Sequence, residues 1–218
     1  MEDVLDVYTR PYDEKRPVVC LDETCKEVHG DARPSIPPRP PQDGKSATPA
    51  REDYEYIRGG STAIFMVYEP LKGRCHTEVS ERRTAKDYAR VIKHLCDTMY
   101  PSAEKIVLVQ DNLNTHAVGS LYQAFEPEEA RRLAQRLEIH YTPKHGSWLN
   151  MAEIALRLLG SQCLSRRFPD REELKKQVAA WQARNDAAPM TTDWRFTTPD
   201  ARIKLKRLYP KIEGPGTA

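Results

Sequence analysis

Two short apolar runs, Val18–Leu21 and Ile106–Val109, are each followed by an aspartate: Asp22 in PVVCLDET and Asp111 in KIVLVQDNLNTH. An apolar run of this length bounded by polar residues predicts a buried strand with an acid at its end. A third acid, Glu153, follows Ser147-Trp148-Leu149-Asn150 at the start of a stretch with helical pattern. Two acids at strand ends and one on a helix can converge on one point, and converged carboxylates repel unless cations lie between them. Hard divalent ions such as Mg²⁺ take oxygen ligands, keep several waters and bind phosphates through their remaining positions. The chemistry that suits such a set is two-metal phosphoryl transfer on a nucleic acid.

The rest of the chain predicts where these acids are mounted. With 218 residues, 39% hydrophobic and 30% charged, it has an ordinary globular composition and is long enough for one substantial core. Thr62–Glu69 and Cys75–Ser80 read as a hairpin, and Thr84–Met99 has the three-to-four apolar spacing of an amphipathic helix. Lys105–Gln110 and Glu138–Thr142 read as strands. Val118–Phe125, Pro127–Leu137, Met151–Leu164 and Asp170–Ala187 read as helices. The expected organisation is an N-terminal lead-in over 1–16, a catalytic domain over 17–187 and a basic tail over 188–218. A Pro-rich segment at 32–52 reads as an extended surface insertion, because proline locks φ and removes a hydrogen-bond donor.

The net charge of +2 hides an uneven distribution, since RIKLKRLYPK (Arg202–Lys211) holds five basic residues and no acid. Such a segment is either a solvated face or a phosphate contact. The five cysteines form no CxxC pair, and the chain opens on an acidic, polar stretch, so a reducing cytoplasm, in association with the nucleoid, is the expected location. Cys20, Cys25 and His29 lack a fourth ligand at a sensible spacing for zinc.

Asp22, then Asp111 with Asn112 and His116, then Leu149-Asn150-x-x-Glu153, resembles the DDE motif of transposases, and in particular the bacterial insertion-sequence branch of the mariner superfamily. The resemblance runs from about Pro17 to Pro210 and takes in WRFTTPDARIKLKRLYP. It implies an α/β, ribonuclease H-like fold, a mixed five-stranded sheet flanked by helices with its first and fourth strands side by side. It implies Asp22, Asp111 and Glu153 as catalytic and metal-holding acids for two Mg²⁺ ions, with Mn²⁺ able to substitute. The implied reaction is DNA cleavage and strand transfer at transposon ends. The expected partners are terminal inverted repeats and target DNA, with a homodimer in the DNA complex. Asn112, His116, Lys144, His145, Trp148, Arg166, Arg167, Lys204, Lys206 and Arg207 are the candidate DNA contacts. The chain departs from the family's pattern at Leu156, where a tryptophan is frequent, and in the 42 positions from Asp111 to Glu153.

Each acid also has an ordinary structural explanation. Asp22 and Asp111-Asn112 suit turns, and Glu153 would complete a capping box if Asn150 caps its helix. Glu23 points to the opposite face from Asp22 and is the weaker ligand candidate. Full-length relatives carry helix-turn-helix modules before the first acid, and no such module fits ahead of Asp22. The expectation is a catalytic half whose end recognition comes from a separate or fused helix-turn-helix polypeptide. Two other readings stay open: a non-catalytic regulator of a full-length transposase, and a ribonuclease H-like nuclease.

Overall fold

The computed structural model describes residues 1–33, 36–41, 46–51 and 55–209. Among them lies a five-stranded sheet ordered β3-β2-β1-β4-β5. Its strands are β1 (Val18–Asp31), β2 (Tyr56–Glu69), β3 (Arg74–Ser80), β4 (Ile106–Gln110) and β5 (Leu137–Tyr141). The first three are antiparallel, while β1–β4 and β4–β5 are parallel. This is the mixed sheet of the ribonuclease H-like fold.

Strands buried on both faces are apolar at every position, and the central pair shows it. Val19, Leu21, Ile106 and Leu108 enter one core, with α2 (Ala85–His94), α3 (Gly119–Ala124) and α4 (Pro127–Gln135). Cys20, Val107 and Val109 enter the other, with α1 (Glu2–Tyr8), α5 (Ala152–Leu159), α6 (Arg171–Ala187) and α7 (Thr198–Lys204). One turn of π-helix, at Leu95–Met99 and at Gly160–Leu164, extends α2 and α5 respectively.

Three expectations are corrected. Asp22 is not at the end of β1: the strand runs on to Asp31, held by antiparallel pairing with β2 after its parallel ladder with β4 stops at Cys20–Val109. The ribbon changes register between Glu27 and His29, opposite Gly60 at φ +90°, so a bulge re-aims it. Residues 1–16 are not a polar lead-in: Val4, Leu5 and Val7 of α1 are fully buried, and Tyr8 donates to the Leu149 carbonyl at 2.6 Å. The tail is folded too, with Trp194 and Phe196 packed on the core and Arg202 bonded through two nitrogens to Glu2.

Of the Pro-rich segment, residues 34, 35, 42–45 and 52 lie outside the described residues. In the remainder, isolated antiparallel bridges join Ile36 to Arg51 and Arg39 to Thr48. Pro210 and Lys211 of the basic tail are likewise outside them.

Candidate active site

Strand alternation places the acids. Asp22 shares the face of Cys20, toward α5, whereas Glu23 shares that of Leu21, toward α2. Asp111 follows Gln110, the last residue of β4, beside β1. Glu153 is in the first turn of α5, which packs against β1 and β2. The link between α5 and β1 is Asn150, almost fully buried. Its Nδ2 donates to the Leu21 carbonyl at 2.8 Å and to Asp22 Oδ2 at 3.2 Å, while its Oδ1 accepts from the Ala152 N–H.

This arrangement keeps one bond of the capping reading, the one that Asn150 Oδ1 accepts at the helix start, and lacks the box. Asn150 ties a helix start to a strand, Met151 takes the N-cap position without a side-chain bond, and no capping box forms at Glu153. The Glu153 side chain is exposed and makes no hydrogen bond or ion pair among the described residues.

The electrostatics at Asp22 are those of uncompensated like charge. The Asp22 carboxyl is pushed up to about 7, first by burial, against the hydrogen bond it accepts from the Glu23 N–H, and then by the negative charges of Glu153, Asp111 and Glu23. Among the described residues no Lys or Arg pairs with Asp22, Asp111 or Glu153. Asp22 is within electrostatic reach of both other acids, and three carboxylates are donors of the kind that suits a hard divalent cation. They do not form a closed shell: among the described residues, no group of three or more His, Cys, Asp or Glu side chains is already arranged to hold a metal ion. Like charges hold apart, and Asp111 turns one oxygen toward His116.

His116 corrects another expectation. It is 1% exposed and so unavailable to DNA. Nδ1 bonds Asp111 Oδ1, and Nε2 stands 3.1 Å from Glu23 Oε2. The second contact is an ion pair, that buried oxygen having no hydrogen-bond partner among the described residues. Burial alone would pull the imidazole down, but its contacts with Asp111 and Glu23 outweigh this and raise it to about 9. The sequence reading missed Glu23 in this role. The strand period that turned it away from Asp22 also aimed it at the helix carrying Tyr88.

The other candidates divide by position. Asn112, Lys144, His145 and Trp148 are exposed, and a cleft of ≈ 400 Å³ beside Asp111 is lined by Asn112, Lys144, His145 and Ser147. His145 adopts φ +62°, which folds this loop tightly next to the acid. Trp148 is 44% exposed, with its ring against Phe196, so it is not the core tryptophan that a hydrophobic side chain suggests. Arg166 and Arg167 are exposed beyond α5, over Phe168 and Tyr56 respectively. Lys204, Lys206 and Arg207 are exposed at the end of α7, where Lys204 stands 3.8 Å from Asp200. A larger cavity of ≈ 510 Å³, lined in part by His76 and His94, contains none of the three acids.

The family model described as DDE superfamily endonuclease matches residues 17–175. Among solved structures, the Mos1 transposase paired-end complex with left transposon end is similar at 17% identity and a TM-score of 0.52, covering 83% of this chain and 51% of that one. The Mos1 strand transfer complex matches at 17% and 0.52, covering 83% and 50%. The mariner Mos1 paired end complex with Mg matches at 17% and 0.53, covering 85% and 53%. The chain thus spans about half the length of these structures. At this identity the likeness establishes the fold. No protein of curated function matches.

Proposed function

We propose, for a chain that belongs to the DDE superfamily endonucleases, that it is the catalytic domain of a transposase, cutting DNA at transposon ends and joining the cut strand to a target. The observation that supports this most directly is the set of Asp22, Asp111 and Glu153, carried by β1, the end of β4 and α5, with no Lys or Arg paired to any of them among the described residues and His116 bonded only to Asp111 of the three.

In this reading the three acids hold two divalent ions, with Mg²⁺ the natural occupant and Mn²⁺ a substitute. Such ions lower the pKa of a bound water and stabilise a leaving oxygen. The remaining work belongs to the chain's own groups. Asn150 fixes the direction of Asp22 by donating to it while holding the Leu21 carbonyl. Lys144 and His145, on the wall of the cleft beside Asp111, bind the phosphates that flank the reacting bond. Trp148 offers an exposed ring on which an unpaired base stacks. Arg166, Arg167, Lys204, Lys206 and Arg207 supply charge farther out, which positions a protein on DNA without reading its sequence. Choice of the terminal inverted repeats is assigned to a helix-turn-helix polypeptide, separate or fused, and the working assembly on DNA to a homodimer. The relatives that carry the fold were solved as transposon-end and strand-transfer complexes, which supports DNA as the substrate.

The test is nicking of supercoiled plasmid by purified protein in Mg²⁺, in Mn²⁺ and in EDTA, alongside the Glu153→Gln variant. The expected result is metal-dependent nicking by the wild type only. Equal nicking by Glu153→Gln, or undiminished nicking in EDTA, overturns the assignment. A preference for inverted repeats over shuffled DNA by this chain alone would remove the need for the helix-turn-helix partner.

A further inference from the structure

Behind Asp111, on the α2 side of the sheet, lies a buried polar chain that the chemistry above does not use. We propose that Glu23 and His116 are a positioning pair for Asp111: the imidazole, clamped between the two carboxylates, takes one Asp111 oxygen and so fixes the direction of the other toward the acid site. The inference rests on the reading of Asp111 as a metal-holding acid.

Asp111 needs such a device because it lies beyond the last residue of β4, where no ladder partner restrains it. Both hydrogen bonds that reach its carboxylate end on Oδ1, one from His116 Nδ1 and one from the Leu113 N–H at 3.4 Å. Oδ2 is left without a hydrogen bond among the described residues. One oxygen is anchored and the other is available.

The anchor itself is immobilised from every side. Tyr88 stacks on the His116 ring, with centroids 4.8 Å apart and planes at 28°. The His116 carbonyl accepts from Gln110 Nε2 at 2.6 Å and from the Tyr141 hydroxyl at 3.2 Å. Gln110 in turn accepts from the Tyr88 hydroxyl at 2.9 Å. At Nε2 stands Glu23, its side chain 2% exposed, with Arg83 3.6 Å from its other oxygen. A histidine that merely filled the core would need an acceptor for one N–H. Carboxylates on both nitrogens fix the ring's rotation as well as its place, as orienting partners of metal ligands do. Because Glu23 is the neighbour of Asp22 on β1, the pair also ties β1 to the segment that follows β4.

The test uses the full chain and Mn²⁺ alone as probe, with free Mn²⁺ followed by electron paramagnetic resonance and folding by thermal melting. His116→Asn places a donor near the position of Nδ1 and keeps the bond to Asp111. His116→Gln reaches toward Glu23 instead and gives that bond up. His116→Asn should bind Mn²⁺ to within about threefold of wild type, whereas His116→Gln should bind it ~10–100-fold more weakly, the usual cost of removing an orienting partner. Glu23→Gln keeps shape, removes the charge that holds the ring, and should also weaken binding, by about tenfold. Equal affinity in wild type and folded His116→Gln overturns the proposal. So does equal loss in His116→Asn and His116→Gln, which is the signature of a purely structural residue. Should His116→Gln fail to fold, the nearly isosteric Glu23→Gln decides, and unchanged affinity there overturns the pairing. If wild type binds no Mn²⁺, the metal reading of the acids falls and this inference with it, an outcome distinct from the others.

Discussion

Asp22 and Glu23 are neighbours on one strand and carry the same charge, yet they live under opposite rules. Asp22 faces α5, has no cation beside it, and is pushed up to about 7 by burial and by the acids around it. Glu23 faces α2, is almost completely enclosed, and meets His116 on one oxygen and Arg83 near the other. Compensation, not burial, separates the two. The buried acid is the one the protein has supplied with partners, and the more accessible one is left wanting. A fold that places its cations at Glu23 and none at Asp22 is what the proposed metal-holding role of Asp22 requires.

Swapping charge for amide at the two positions is the strongest way to break the comparison. Asp22→Asn should remove metal-dependent nicking altogether, by at least about 10³-fold, while leaving the apo-protein as stable as before or more so. Glu23→Gln should leave measurable nicking, reduced ~10–100-fold, and should lower the melting temperature because it strips a partner from a buried imidazole. If Asp22→Asn destabilises and Glu23→Gln does not, the assignment of the two faces is reversed.

The pH dependence of stability sharpens the same contrast. Asp22 has a folded-state value raised from its ordinary 3.8 to about 7, so the native state binds the extra proton between these limits. Its contribution to stability is therefore fully present below about pH 4 and is lost as pH rises through about 7. In EDTA the wild type should fall relative to Asp22→Asn over that window, by at most about 4 kcal/mol and by less if the site relaxes. Mn²⁺ at about pH 8 should restore the loss in wild type only. Parallel stability curves for the two proteins across the whole window would show that neither burial nor the neighbouring acids perturb Asp22.

Much of this site was legible in the sequence because its physics is local. Val18–Leu21 and Ile106–Val109 are apolar at every position since helices cover both faces, and that pattern survives in one dimension. Beyond Asp22 the pattern vanishes: ETCKEVHG is held as strand by pairing with β2, not by a core, so the apolar run marks only the start of β1. Helix α1 was hidden because its buried Val4, Leu5, Val7 and Tyr8 are interleaved with Glu2, Asp3 and Asp6 over barely two turns. Asn150 reads as a cap in sequence, and its Oδ1 does accept at the helix start, but its other partner, the Leu21 carbonyl, is 129 residues away. His116 and Glu23 were separated by a correct period-two argument that asked where Glu23 did not point. The short helix α1 aside, long-range pairing is what one dimension does not carry.

A smaller effect separates the acid site from the basic tail. Lys204, Lys206 and Arg207 are exposed on a segment that Arg202 and Trp194 hold against the rest of the fold, so they present a fixed patch. Changing all three to Gln should lower the salt slope of duplex DNA binding by up to about 0.9 for each phosphate that is no longer neutralised. Mn²⁺ affinity should not change. Lys204, already near Asp200, should contribute the least. An unchanged slope would assign the patch to solvent.

The smallest expected change tests how tightly the α2 face is built. Tyr88→Phe keeps the ring on His116 and deletes only the hydroxyl that donates to Gln110. The missing hydrogen bond is worth about 1 kcal/mol, with an added penalty for the Gln110 oxygen left buried without a donor. Gln110 would still hold the His116 carbonyl through its nitrogen, and both carboxylates would still hold the ring. The variant should therefore melt a few degrees lower and nick at a rate within about threefold of wild type, since redundant contacts share the loss of one. Combining it with Glu23→Gln loosens two parts of one network around the imidazole, so the combined loss of Mn²⁺ affinity should exceed the product of the single losses. Strict independence of the two changes would mean that Tyr88 and Glu23 act on different structures, and that the ring is not the common element between them.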